Sequence, residues 1–271
     1  MPQHMTTTGS LILGATGKLG RALARVWPQG APVPLLQGRD DCDGLLHWNI
    51  LNDPAPELPV VSGVIVLAGV TTGDDAGLAL NTDLARAGAD LARRLGVRAL
   101  VASSQAVYGH PDHAAVEADT LVPVAPYGRA KRTMEQALAG QDHVCCLRIG
   151  NVAGCDSLFD AMTRPPVTLD RFRDGQGPRR AMIGPRDLAQ VMVDLLGAPF
   201  LPPTLNVARP GTLAMADLLV QAGVDWHWRD AKPDALPELA LNVTLLQGIS
   251  PLPPVTAPDM LAQARAAGWG A

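Results

Sequence analysis

The chain of 271 residues is 47% hydrophobic and 18% charged, long and apolar enough to bury a large core. A formal charge of −4 with no basic run argues against nucleic acid as a partner, and no stretch reaches the roughly 18 apolar residues that cross a bilayer. Cys42, Cys145, Cys146 and Cys155 have neither zinc-ligand spacing nor disulfide-scaffold density, which predicts reduced thiols and a cytoplasmic location.

Residues 1–9 are polar, without a basic start, and are expected to be flexible. Beyond them, apolar runs alternate with amphipathic stretches for about 140 residues, the pattern of a parallel sheet covered by helices. Residues 11–13 predict a strand entering a glycine turn, 19–27 a helix, and 33–36 a second strand, with Pro28 and Gly30 punctuating the return. Residues 64–67 predict a buried strand ending at Ala68 and Gly69. A helix over 78–95, closed by Gly96, leads to a strand over 99–102, and a further helix starts at Pro126. A strand over 143–149, a helix over 188–196 and a strand over 205–208 complete the pattern. Pro233, Pro237, Pro251, Pro253, Pro254 and Pro258 then break the chain, predicting an irregular lobe closed by a helix over 259–267.

The expected fold is α/β: a doubly wound parallel sheet of the Rossmann type with a small C-terminal substrate lobe. Residues 10–150 would form the dinucleotide-binding core, joined by the returning segment 185–208. Residues 151–184 and 209–271 would form the lobe.

Gly14-Ala15-Thr16-Gly17-Lys18-Leu19-Gly20 lies between the first strand and the first helix, where backbone N–H groups and the helix dipole receive a pyrophosphate. The alternative is a tight turn needed for close packing. The second strand ends Leu36-Gln37-Gly38-Arg39 with no carboxylate at its tip, and Arg39 suits adenine stacking and a 2′-phosphate. NADP(H) is therefore favoured. Asp40 and Asp41 would hold the ribose if the strand ended later, which keeps NAD(H) open, and a solvated loop arginine is the other reading of Arg39.

Tyr127 and Lys131 stand four residues apart behind Pro126, so a helix puts phenol and ammonium on one face. An adjacent ammonium favours phenolate and would bring the hydroxyl into working range as a proton donor to a carbonyl. An exposed helical pair is the alternative. Ser104 ends the strand segment that begins at Ala99, at the carboxyl edge of the sheet where ligands of such folds bind, and its hydroxyl can hydrogen-bond a reacting carbonyl.

With the glycine turn, Asn81, Ser103-Ser104-Gln105-Ala106-Val107-Tyr108-Gly109, Pro126-Tyr127-Gly128-Arg129-Ala130-Lys131 and Leu147-Arg148-Ile149-Gly150-Asn151-Val152, the chain resembles the extended short-chain dehydrogenase/reductases of the NAD-dependent epimerase/dehydratase family. The resemblance runs from about Leu11 to Ala208. It implies Tyr127 as general acid/base, Lys131 on the nicotinamide ribose, and Ser104 orienting the carbonyl. It implies the turn residues Gly14, Thr16, Gly17, Lys18, Leu19 and Gly20, together with Arg39, Asn49, Ala68, Gly69, Asn81 and Val152, around the cofactor. Asn81 could equally satisfy backbone groups. Gln105, Asn151 and Arg180 would meet substrate, with a surface arginine as the other reading of Arg180. The family also implies a homodimer through the helices over 78–95 and 127–138.

Two departures narrow the expected chemistry. Sugar-nucleotide dehydratases of this family carry Asp-Glu where Gln105 and Ala106 stand, and neither residue supplies a proton at neutral pH. A second arginine, which often grips a nucleotide diphosphate, has no counterpart near residues 241–245, so the substrate is expected to be smaller. The leading expectation is an oxidoreductase moving hydride between nicotinamide and a carbonyl or hydroxyl of a sugar-like or other small molecule. An epimerase using the same residues is its rival, and a non-catalytic NADP(H) sensor is a third reading. No metal is expected, because His110 and His113 lack a third ligand at supporting spacing. Cys145 and Cys146, adjacent on a strand, should face opposite sides, and Trp226 and Trp228 alternate as on a half-buried strand.

Overall fold

The structure, a computed structural model, describes residues 9–39 and 44–270. The elements in chain order are β1 (Leu11–Leu13), α1 (Lys18–Arg25), β2 (Leu35–Gly38), β3 (Leu46–His47), β4 (Val64–Val66), α2 (Asp75–Leu95), β5 (Ala99–Ser104), α3 (Pro126–Leu138), β6 (Val144–Ile149), β7 (Asn151–Val152) and α4 (Ser157–Met162). They continue with β8 (Val167–Arg171), β9 (Arg179–Arg180), β10 (Met182–Ile183), α5 (Pro185–Gly197), β11 (Thr204–Val207), β12 (Leu213–Ala214), α6 (Met215–Ala222), β13 (Trp226–Asp230), β14 (Glu238–Leu239), α7 (Thr244–Gln247) and α8 (Ala257–Ala266).

Seven strands form one parallel sheet in the order β11-β6-β5-β4-β1-β2-β3. The order reverses between β1 and β4, the switch point at which doubly wound sheets open a crevice at their carboxyl edge. Strand alternation splits the core into two layers. Ile12, Ile65, Leu100 and Cys145 pack on one face with residues of α1 and α5, while Leu11, Leu13, Val64, Val66, Val101 and Cys146 pack on the other with residues of α2 and α3. Cys145 and Cys146 thus face opposite layers, as their adjacency on a strand requires.

Local chemistry explains where the helices begin and stop. Asp74 accepts from the Gly77 N–H at 2.8 Å and starts α2 three residues ahead of the expected 78, and Gly96, at φ 67°, ends it. Pro126 at the first turn starts α3.

One boundary differs in a way that matters. The second strand was expected over 33–36 but pairs as Leu11↔Leu35 to Leu13↔Gln37 and runs on to Gly38. Pro32 and Pro34 have no N–H for a ladder, and Val33 is 79% exposed, so pairing starts only at Leu35. Arg39 becomes the first residue past the strand, while Asp40, Asp41 and Cys42 lie outside the described residues.

The remaining residues are more regular than the proline-broken sequence suggests. Three small sheets, β10-β7, β12-β9-β14 and β13-β8, surround a separate apolar cluster that includes Phe159, Met182, Leu218, Leu219, Met260 and Leu261. Trp226 and Trp228 meet edge to face at 4.6 Å between ring centroids and pack against this cluster.

Candidate active site

The glycine turn follows β1 at the switch point. Gly14 has φ 84°, and a Cβ there would lie 2.6 Å from the Ala68 backbone, so β1 and the end of β4 approach at a distance only glycine permits. A Cβ on Gly20 would lie 2.6 Å from the Ala15 Cα and the Gly14 carbonyl. Gly17 caps α1 with extended backbone and no side-chain bond, which leaves the first-turn N–H groups without a side-chain acceptor. These features fit the diphosphate of a dinucleotide. Leu19 packs on the core, the Thr16 carbonyl accepts from Arg21, and Lys18 pairs with Asp160 of α4, tying the turn to the residues beyond the main sheet.

At the tip of β2, Gln37 is 2% exposed; its Oε1 accepts from the Gly14 N–H at 2.9 Å and its Nε2 donates to the Trp48 carbonyl. A neutral amide, already engaged, therefore supports the glycine turn from the strand that usually carries an acid. Thr16 packs so closely on Gly38 that a Cβ there would lie 2.6 Å from its methyl, and Arg39 beyond it is exposed. Asn49 serves its own turn: its Oδ1 accepts from the Leu51 N–H at 3.1 Å, and its N–H donates to Asp53 at 2.8 Å.

Asn81 is 1% exposed and wholly engaged with backbone. Its Oδ1 accepts from the Val70 N–H at 3.2 Å, and its Nδ2 donates to the carbonyls of Val70 and Leu78 at 2.9 Å each. Of the two sequence readings, the geometry is that of backbone satisfaction. A Cβ on Gly69 would lie 2.8 Å from the Asn81 Oδ1 and 3.4 Å from the Lys131 Nζ, so this turn brings Ala68, Gly69, Asn81 and Lys131 together.

Ser104 is the last residue of β5, Tyr127 the second of α3, and Lys131 lies one turn further along the same helix face. The Lys131 Nζ donates to the Ala102 carbonyl at 2.8 Å and lies 5.9 Å from the Tyr127 ring centroid. Burial pulls the Lys131 pKa down to about 8.

The tyrosine corrects an expectation. Lys131 was expected to pull its phenol below the ordinary value of about 10. Burial instead raises it, and the opposing influence is the neighbouring Ser104 hydroxyl, because the ammonium is turned into the Ala102 carbonyl.

Gln105 and Asn151 meet across the carboxyl ends of β5 and β6. The Gln105 Nε2 donates to the Asn151 Oδ1 at 2.5 Å, and the Asn151 Nδ2 donates to Asp156 at 2.7 Å. Asp156 also caps α4 through the Phe159 N–H at 3.0 Å, and burial raises its carboxyl pKa. Val152 is buried beside Asn151, and β7 pairs with β10. Arg180 lies apart in β9, where its guanidinium donates to the carbonyls of Arg179 at 2.7 Å, Leu236 at 2.8 Å and Pro237 at 3.2 Å. Its charge is thus spent on anchoring the 236–237 segment. His113, set aside as a metal ligand, sits between Asp112 at 2.9 Å and Asp119 at 2.8 Å, and both carboxylates raise its pKa.

One cluster was missed in the sequence. Arg148 of β6 forks onto the buried Glu135 of α3, its Nη2 donating at 2.8 Å, and its Nη1 donates to the Tyr108 hydroxyl at 2.9 Å. The available signal was the four-residue spacing of Tyr127, Lys131 and Glu135, one face of one helix.

Several solved structures share this fold. UDP-glucose 4-epimerase from Brucella ovis, in complex with NAD, superposes with a TM-score of 0.79 at 17% identity, over 97% of this chain and 99% of that one. The NAD-dependent NDP-hexosamine 5,6-dehydratase TunA of tunicamycin biosynthesis gives 0.77 at 19% identity, over 96% of this chain and 97% of that one. MoeE5 in complex with UDP-glucuronic acid and NAD gives 0.72 at 18% identity, over 95% of this chain and 98% of that one. No curated protein matches the chain in sequence. The model of the NAD dependent epimerase/dehydratase family matches residues 10–193, across the glycine turn, Ser104, Tyr127 and Lys131. The chain belongs to the NAD dependent epimerase/dehydratase family, whose members are enzymes.

Proposed function

We propose that the protein is an NAD(P)-dependent oxidoreductase that moves hydride between nicotinamide and a carbonyl or hydroxyl of a sugar-like or other small substrate. The observation that carries this reading is the meeting of Ser104, Tyr127 and Lys131 at the carboxyl edge of β5, next to the Gly69 turn. A dinucleotide bound across the switch point would supply the hydride donor or acceptor. Tyr127 gives or takes the matching proton at its hydroxyl, Ser104 holds the reacting oxygen, and Lys131 bonds the ribose through N–H groups not used on Ala102. Gln105 and Asn151 line the substrate side, and residues 151–184 and 209–271 act as the substrate lobe. Arg180 contributes by shaping that lobe.

Arg39 is the proposed 2′-phosphate contact and the reason to favour NADP(H), since the side chain that meets the glycine turn from β2 is the neutral Gln37 and not a carboxylate. NAD(H) is the alternative, as held by the neighbouring structures in complex with NAD. The outer faces of α2, with Leu80 exposed, and α3 are the proposed homodimer interface.

Tyr127→Phe tests the central assignment. Turnover of carbonyl substrates should fall about 10²–10⁴-fold with dinucleotide affinity kept, and unchanged turnover would overturn it. The second reading, an epimerase, is favoured by the likeness to UDP-glucose 4-epimerase. Protein that purifies with bound nicotinamide and acts without added cofactor supports epimerisation, whereas consumption of free NAD(P)H supports reduction.

A further inference from the structure

Lys131 and Glu135 lie four residues apart on α3, and both are buried, at 5% and 8% exposure. They fasten the helix to consecutive residues at the end of β5. Lys131 donates to the Ala102 carbonyl, and the Ser103 hydroxyl donates to the Glu135 Oε1. The next residue, Ser104, is the one that meets Tyr127. Glu135 is then clamped from β6, where the Arg148 Nε donates to its two oxygens at 3.2 and 3.1 Å and Nη2 donates at 2.8 Å.

We propose that Glu135 is a positioning residue of the catalytic set, fixing α3 over the end of β5 and serving as the buried counter-charge of Lys131.

The groups facing Lys131 narrow the choice of anion to this one. On its own helix they are Tyr127 and Glu135, and β6 contributes Cys146. Toward the Gly69 turn it meets the uncharged Asn81. The Tyr127 phenol is protonated at neutral pH, and burial holds the Cys146 thiol far above its ordinary range, so neither carries charge where Lys131 titrates. Glu135, the carboxylate among these groups, is held in an ion pair with Arg148. Arg148, bonded to both carboxylate oxygens, moderates its field. A lysine this deeply buried without an anion nearby would lose its proton near neutral pH, as buried lysines do. In the proposed function the ammonium is the form that bonds a ribose.

The inference rests on the proposed roles of Tyr127 and Lys131, and its test reads Lys131 without any substrate. The chain has only three lysines, Lys18, Lys131 and Lys232, so lysine side-chain carbon NMR of the full-length protein gives three signals to titrate. The Lys131 midpoint, expected near 8 in the native protein, should fall by a unit or more in Glu135→Gln, a tenfold or larger loss of proton affinity. In Arg148→Met the carboxylate loses its competing cation and the midpoint should rise. A merely structural role predicts another pattern, because loosening α3 exposes Lys131 and moves both variants upward toward about 10.4. A rise or no change in Glu135→Gln therefore overturns the proposal.

Glu135→Gln leaves a buried, unpaired guanidinium and risks failing to fold. The doubly substituted Glu135→Gln, Arg148→Met protein avoids that charge, and its midpoint must lie below that of Arg148→Met alone; an equal or higher value overturns the proposal equally. If Tyr127→Phe leaves turnover untouched while these shifts appear, the redox reading fails and the counter-charge stands.

Discussion

The Lys131 ammonium is hydrogen-bonded to the Ala102 carbonyl at 2.8 Å, so the charge one helical turn beyond Tyr127 is tied to the strand that ends in Ser104. The bond ties α3 to the end of β5. It also turns the ammonium from the phenol hydroxyl, which makes the ionisation of Tyr127 a sensitive reporter of the site.

The chain has two tyrosines, Tyr108 and Tyr127, and burial raises both phenols, Tyr108 to about 12. Ultraviolet titration of the protein without added dinucleotide should show no tyrosinate below about pH 10. The sign for stability follows. A phenol whose folded pKa lies above its unfolded value contributes stability in full below the unfolded pKa and loses it as pH rises through the folded one. Stability should therefore decline from about pH 10 toward about pH 12. Tyrosinate absorbance near pH 8 or 9 would contradict this account of the site.

Gly20 has no room for a side chain. Gly20→Ala would place a Cβ 2.6 Å from the Ala15 Cα and the Gly14 carbonyl, forcing β1 and α1 apart. The expected cost is about 1–3 kcal/mol in denaturant unfolding, accompanied by weaker dinucleotide binding. Gly197→Ala is the control. Nothing lies within 4 Å of a Cβ at that last residue of α5, and the substitution should stabilise the protein by roughly 0.5–1 kcal/mol.

Arg39 is the residue on which the proposed preference for NADP(H) turns. Arg39→Ala should weaken NADP(H) binding about 10–100-fold, the worth of a charge-assisted bond, and leave NAD(H) affinity nearly unchanged. Equal losses for both dinucleotides in a fluorescence titration would assign Arg39 to adenine, no loss for either would assign it to solvent, and tighter NADP(H) binding would reverse the preference altogether.

Much of the architecture could be read from local pattern. The short apolar runs at 11–13, 64–67 and 99–102 became parallel strands, because a strand covered by helices on both faces needs no polar residue. Tyr127 and Lys131 could be paired because helical geometry brings residues four apart together regardless of what surrounds them. The tail was harder to read. Met215–Ala222 forms a helix ended by Gly223 in the left-handed region, within a stretch where dispersed prolines suggested irregular chain.

The amino-acid order by itself determined the alternating strands and helices, the glycine turn after the first strand and the pairing of Tyr127 with Lys131, since each depends on periodicity or on spacing within a short stretch of chain. Only the tertiary structure decided what those groups experience. Glu135 and Arg148 are 13 residues apart on different elements, the Gln37 side chain reaches back to Gly14, and Arg180 spends its charge on carbonyls more than 50 residues away. Protonation depends on burial and on the nearest charge, and both are set by how helices and strands pack. That is why the phenol is raised where the local pairing with Lys131 had predicted a lowered one.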